Sequence, residues 1–133
     1  MLAFIDASVI LAALGSKSGG SSQILKLIRE SKLDGITSQA VVEEVFRNVY
    51  KIKIAESKVS RLISISSIKV IPAPTSEEVE KYLDVTAAKD VHVVASAIKS
   101  KANVVITLDK KHLLSKRIKG LSVLTPGEFL KNL

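Results

Sequence analysis

At 133 residues, 47% apolar and 25% charged, the chain has the length and balance of one globular domain with a real core. Having no Cys, it cannot carry a disulfide scaffold, a thiol nucleophile or a zinc–thiolate site. A formal charge of +7, no leader segment and no apolar run near the ~20 residues of a membrane span predict a soluble, cytoplasmic protein with a polyanionic partner.

Leu2–Ile5 is a continuous apolar run, which predicts a buried strand ending at Asp6. Residues Gly15–Ser22 are rich in Gly and Ser but lack the Gly-Lys-Ser/Thr ending of a P-loop, so they read as a flexible loop. Ile24, Leu25, Leu27 and Ile28 predict a helix over Gln23–Ile28, and Gly35–Thr37 predicts a second strand. Val41, Val42, Val45, Phe46 and Val49 recur at i, i+1, i+4, i+5 and i+8, the period of an amphipathic helix. A helix through Lys58–Ser66 and a strand at Ile68–Ile71 follow. Ser76, with Glu77, Glu78 and Glu80 behind it, reads as the N-cap of the next helix. Val91–Ile98 is apolar nearly all round, which predicts a buried helix opened by Asp90. Asn103–Leu108, ended by Asp109, and Leu121–Leu124 are the last strands, and Thr125-Pro126 starts a short final helix. This alternation predicts an α/β protein: three layers, α/β/α, with a central parallel sheet of four to five strands in one domain over 1–133.

The charge is unevenly spread. Lys99–Lys119 holds seven Lys or Arg against Asp109 alone, and Arg47–Lys69 holds six against Glu56. Thr75–Asp90 instead carries five acids. Two basic segments suit a nucleic-acid backbone, against the plainer reading of a solvated lysine surface. In open parallel sheets, ligands bind outside the carboxyl ends of the strands at a switch point. Asp6 and Asp109 stand at such ends, Asp90 opens a helix, and Glu44 lies about two turns into another. Clustered carboxylates repel and cost desolvation energy, an objection that a divalent cation removes. Mg²⁺ or Mn²⁺ takes oxygen ligands of this kind and activates water for attack on a phosphodiester.

Each acid also has a plainer role. Asp6, Asp90 and Asp109 can cap the helices that follow, as can Ser8. Glu43 and Glu44 flank the apolar stripe about equally, so periodicity does not choose between them. His92 reads as helix packing or a polar edge, and His112, among lysines, as a surface residue. No Gly-x-Ser-x-Gly elbow supports serine hydrolase chemistry.

Four segments in order resemble the PIN-domain family: Phe4-Ile5-Asp6-Ala7-Ser8-Val9-Ile10, Ile36-Thr37-Ser38-Gln39-Ala40-Val41-Val42-Glu43-Glu44-Val45, Asp90-Val91-His92-Val93-Val94-Ala95 and Val105-Ile106-Thr107-Leu108-Asp109. The resemblance spans Met1 to about Leu124. It implies the α/β/α fold of metal-dependent ribonucleases, many of them VapC-type toxins. By this likeness Asp6, Glu44, Asp90 and Asp109 are the ligands of Mg²⁺ or Mn²⁺. Glu44 is preferred because the family's acid typically precedes an aliphatic residue, here Val45. Ser8 and Thr107 match hydroxyl positions that orient ligands or water. The family often has a large apolar residue three positions after the fourth acid, where this chain has His112, with Leu113 beside it. RNA as substrate, an antitoxin partner and a homodimer are further implications. The competing expectation is a non-catalytic RNA-binding or scaffold domain on the same fold. A receiver-like phosphate-handling domain wants two adjacent acids after the first strand, and they are missing here.

Overall fold

The computed structural model describes residues 1–86, 90–110 and 120–133. Five parallel strands form one sheet in the order β3-β2-β1-β4-β5. They are β1 (Leu2–Ile5), β2 (Asp34–Ser38), β3 (Lys69–Ile71), β4 (Val104–Ile106) and β5 (Ser122–Leu124). Each lies within two residues of the run that the apolar pattern predicts, and the five reach the upper end of the expected number. The central strands β1 and β4 are apolar along their length because both faces of the sheet are covered; Phe4, Ile5, Val105 and Ile106 are fully buried.

Seven α-helices are among the described residues: α1 (Ala7–Gly15), α2 (Gly20–Arg29), α3 (Gln39–Asn48), α4 (Glu56–Ser66), α5 (Ser76–Glu80), α6 (Val91–Lys99) and α7 (Pro126–Lys131). On one face α1 packs against α2, α3 and α4, and α2 packs against α7. The crossover from β3 to β4 passes through α5 and α6, which pack on each other, α6 also meeting β2. Right-handed crossovers running in opposite directions across a sheet put their helices on opposite faces, which makes the third layer. The three-layer α/β/α architecture is the expected one.

Details depart from the sequence reading where distant contacts decide. The Gly/Ser-rich stretch is not loop throughout: α2 begins at Gly20, three residues before the pattern suggests. A Cβ at Gly20 would sit 3.5 Å from Pro126 Cβ, so the first turn of α2 lies close against α7. Ser22 Oγ also donates to Ala13 O and Ser16 O, tying that turn to the end of α1. The cap of α5 is Thr75, not Ser76. Its hydroxyl accepts from Glu78 N while Glu78 Oε1 accepts from Thr75 N, a closed capping box. The stripe on α3 ends at Asn48, and Val49 is buried in a 3₁₀ turn, Val49–Ile52. Gly35 faces Ile28 so closely that any Cβ there would overlap the Ile28 side chain.

The strand order also fixes where a ligand belongs. From β1 the chain moves outward through β2 and β3, then returns to β4 on the other side of β1. The switch point therefore lies between β1 and β4, whose carboxyl ends carry Asp6 and Thr107–Asp109.

Candidate metal centre

At this switch point the register aligns Ile5 with Ile106, and Asp6 N donates to Ile106 O at 3.1 Å. The Asp6 side chain therefore leaves the edge of the sheet beside Thr107. Thr107 Oγ1 donates to Asp6 Oδ2 at 2.6 Å, and Ser8 Oγ donates to the same oxygen at 3.0 Å. Neither hydroxyl occupies Oδ1. Both hydroxyls also accept from the backbone: Leu108 N donates to Ser8 Oγ and Asp109 N to Thr107 Oγ1, each at 3.0 Å. The loop that carries Asp109 is thus tied through Thr107 to Asp6. Asp6 lies at the N-cap of α1 without making a side-chain cap bond. Its carboxylate is held instead by the local Ser8 hydroxyl and the distant Thr107 hydroxyl.

Glu44 reaches the same edge from α3. Thr37 Oγ1 donates to Ile5 O at 2.8 Å, clamping β2 to the end of β1. Ser38 then caps α3 by accepting from Val41 N at 3.2 Å, which fixes the helix that presents Glu44. Glu44 is half-buried and Glu43 is exposed. Two flanks of one stripe look equal on a helical wheel, yet only the Glu44 charge acts on Asp6. Burial first of all pushes the Asp6 carboxyl above its ordinary range. The Thr107 and Ser8 hydroxyls and the Ala7 amide pull it back, and the charge of Glu44 raises it again.

Asp90 stands at the start of α6, in helical conformation and without a side-chain cap bond. Because α6 leads directly into β4, its N-terminus lies toward the carboxyl edge of the sheet, the edge of Asp6. Within that helix His92 Nε2 lies 3.8 Å from Glu44 Oε1. Asp109 is exposed. Asp6 and Asp109 follow β1 and β4, Asp90 opens α6, and Glu44 is the acid whose charge reaches Asp6. Among the described residues, no three Asp, Glu, His or Cys side chains are close enough to grip a metal ion. The donor set is nevertheless what such a cation needs: hard oxygens, a buried and desolvated Asp6, and a second carboxylate coupled to it by charge.

A groove of about 670 Å³, with Leu2, Ile28, Asp34, Lys69 and Lys99 in its lining, opens at the amino ends of the strands, away from Asp6. It gathers no acid cluster and is not the candidate centre. Of the predicted basic segments, Lys58 and Arg61 line a groove with Lys17, which the sequence did not connect to them. Lys26 and Arg29 join Lys17 in the adjoining one. Lys99 and Lys110 are ion-paired, to Glu78 at 3.2 Å and Glu128 at 2.9 Å. Most of the other predicted basic residues of Lys99–Lys119, with His112 and Leu113, lie outside the described residues.

The sequence model of the PIN domain matches residues 3–111. The chain belongs to the PIN-domain family. PIN domains are generally nucleases that use divalent metal ions. A chain in the crystal structure of VapBC2 from Rickettsia felis, bound to a DNA fragment from their promoter, shares the fold of this PIN domain. The TM-score is 0.62 at 19% identity, covering 92% of this chain and 97% of that one. No curated protein matches the sequence. No helix among the described residues is long and apolar enough to cross a membrane.

The hydroxyl pair gives this PIN domain a sharp local test. Thr107→Val keeps the buried volume and removes the group that bonds both Asp6 Oδ2 and Asp109 N. A lost buried hydrogen bond costs about 1–3 kcal/mol. Thr107→Val should lower the unfolding midpoint in urea, while Thr107→Ser retains most of the stability.

Proposed function

We propose that this PIN domain is a Mg²⁺- or Mn²⁺-dependent endoribonuclease that hydrolyses RNA phosphodiester bonds, acting as the toxin of a toxin–antitoxin pair. The observation that carries the reading is the buried Asp6, fixed by Ser8 and Thr107 at the β1/β4 switch point and coupled by charge to Glu44. Asp6, Glu44, Asp90 and Asp109 would hold the ion. When bound, the cation supplies positive charge that acidifies water and offsets charge building on the phosphate.

The chain's own residues do the rest. Ser8 and Thr107 point both hydroxyl protons at Oδ2, so Asp6 enters the site already oriented, and the two bonds offset part of the burial that pushes its carboxyl up. Glu44 brings a second negative charge, which raises the gain from binding a cation. Lys17 follows the far end of the nine-residue α1, about 13 Å from its start by helix rise, and shares a groove with Lys58 and Arg61 of α4. They bind backbone phosphates away from the scissile bond and set affinity and salt dependence without reading bases. With aromatics at 4% of the chain, base stacking contributes little.

The toxin role and an antitoxin partner are supported by the shared fold with a chain of a VapBC2 complex. A homodimer and a cytoplasmic location complete the proposal. The deciding experiment is cleavage of a labelled single-stranded RNA by the purified chain with Mn²⁺, with Mg²⁺ and with EDTA. Cleavage should need the metal and leave 5′ phosphates. Glu44→Gln should lower the rate at least ~100-fold and Glu43→Gln less than about twofold. RNA binding with no cleavage in any metal would make the chain a scaffold domain instead.

A further inference from the structure

His92 lies beside the acid edge, and neither the ligand set nor the hydroxyl pair accounts for it. Its side chain is 21% exposed, with Nε2 3.8 Å from Glu44 Oε1. Its Nδ1 is buried and, among the described residues, has no hydrogen-bond partner. A neutral imidazole carries one N–H. Placed on Nδ1, that proton would be buried with nothing to accept it; placed on Nε2, it faces a carboxylate. The tautomer follows: the proton sits on Nε2, which faces the Glu44 carboxylate at ion-pair distance.

We propose that His92 is a positioning residue for Glu44, holding that carboxylate at the metal site from the opposite helical layer. The inference rests on the metal reading above. Asp6 is short and already fixed by two hydroxyls. Glu44 is a longer side chain on α3, with more rotamer freedom to lose when it ligates. A donor on α6 lowers that cost. The present 3.8 Å is ion-pair range, and closing by about 1 Å gives a charge-assisted hydrogen bond as the carboxylate turns to a cation.

The test is the Mn²⁺ dissociation constant, measured by calorimetry on the full chain for wild type, His92→Leu, His92→Gln, Glu44→Gln and the double variant Glu44→Gln/His92→Leu. Thermal unfolding without metal is followed in parallel. His92→Leu should weaken Mn²⁺ binding about 10–100-fold, and His92→Gln, which restores a donor, should recover most of it. In the Glu44→Gln background, His92→Leu should change affinity less than about twofold, because the two residues act as a unit. Equal Mn²⁺ affinity in wild type and His92→Leu overturns the inference while leaving the metal site standing. So does an undiminished loss in the Glu44→Gln background. A wild type that binds no Mn²⁺ overturns the site itself and this inference with it. Should His92→Leu fail to fold, His92→Gln against His92→Asn carries the comparison, since the shorter Asn cannot reach Glu44.

Discussion

Asp6→Asn is expected to lower RNA cleavage at least ~10³-fold, about 4 kcal/mol of transition-state stabilisation, while the chain stays folded and still binds RNA. The variant is nearly isosteric. Its Oδ1 can take the place of Asp6 Oδ2 as acceptor for both the Ser8 and Thr107 hydroxyls, so the local geometry survives. What it loses is the charge. Burial and Glu44 together disfavour ionised Asp6 in the metal-free protein. Removing that charge should therefore raise stability by about 0.5–2 kcal/mol, the range common for a single stabilising substitution. Lost activity together with a raised melting temperature would be hard to explain by damage to the fold. A lower melting temperature with cleavage intact would return Asp6 to a structural role and sink the metal reading.

The parts of this site that could be read from the chain are those set by local pattern and by strand order. Leu2–Ile5 and Val104–Ile106 are unbroken apolar runs, which a parallel sheet covered on both faces requires, so Asp6 and Thr107–Asp109 fall at strand ends without further information. Val91 and Val93–Ala97 are buried as their composition demands. Choosing Glu44 over Glu43 needed more. Both flank the stripe of α3, and only the placement of that helix against the end of β1, clamped by Thr37 on Ile5, puts Glu44 inward. The start of α2 at Gly20 depends on α7, more than a hundred residues later in the chain. The joining of Lys17 with Lys58 and Arg61 depends on α1 meeting α4. His92 offered only a weak signal: a polar ring two positions after an acid, on a helix otherwise buried. Its meaning comes from Glu44 on the opposite layer, a neighbour that no periodicity on α6 can reveal.

Mn²⁺ should stabilise this protein strongly at neutral pH and hardly at all in acid. For metal-free protein the sign follows from Asp6. Its folded pKa is raised above the ordinary 3.8, so its contribution is most favourable below 3.8 and is lost as pH rises through the raised value. Glu78 and Glu128 run the other way. Backbone N–H groups at Thr75 and Thr125 hold both carboxyls below their ordinary value first of all, with Lys99 and Lys110 helping. Their contribution is therefore present at neutral pH and is lost as pH falls through the lowered values. Both reach solvent, and ions screen them; Asp6 is buried. Comparing wild type with Asp6→Asn at each pH cancels the two glutamates and isolates the buried group. A cation binds the ionised acids, so its effect should grow over the same interval in which Asp6 becomes costly. At a free Mn²⁺ concentration of about 100 times Kd, the added stability at pH 7 is about 2.7 kcal/mol, several degrees in melting temperature. At pH 4 the shift should shrink toward zero, and EDTA should reverse it at pH 7. In Asp6→Asn the neutral-pH shift should largely vanish, because the cation loses its best-ordered ligand. A Mn²⁺ shift that ignores both pH and Asp6→Asn would place the ion elsewhere on the surface, and the β1/β4 edge would then be a cluster of charges with no metal to offset them.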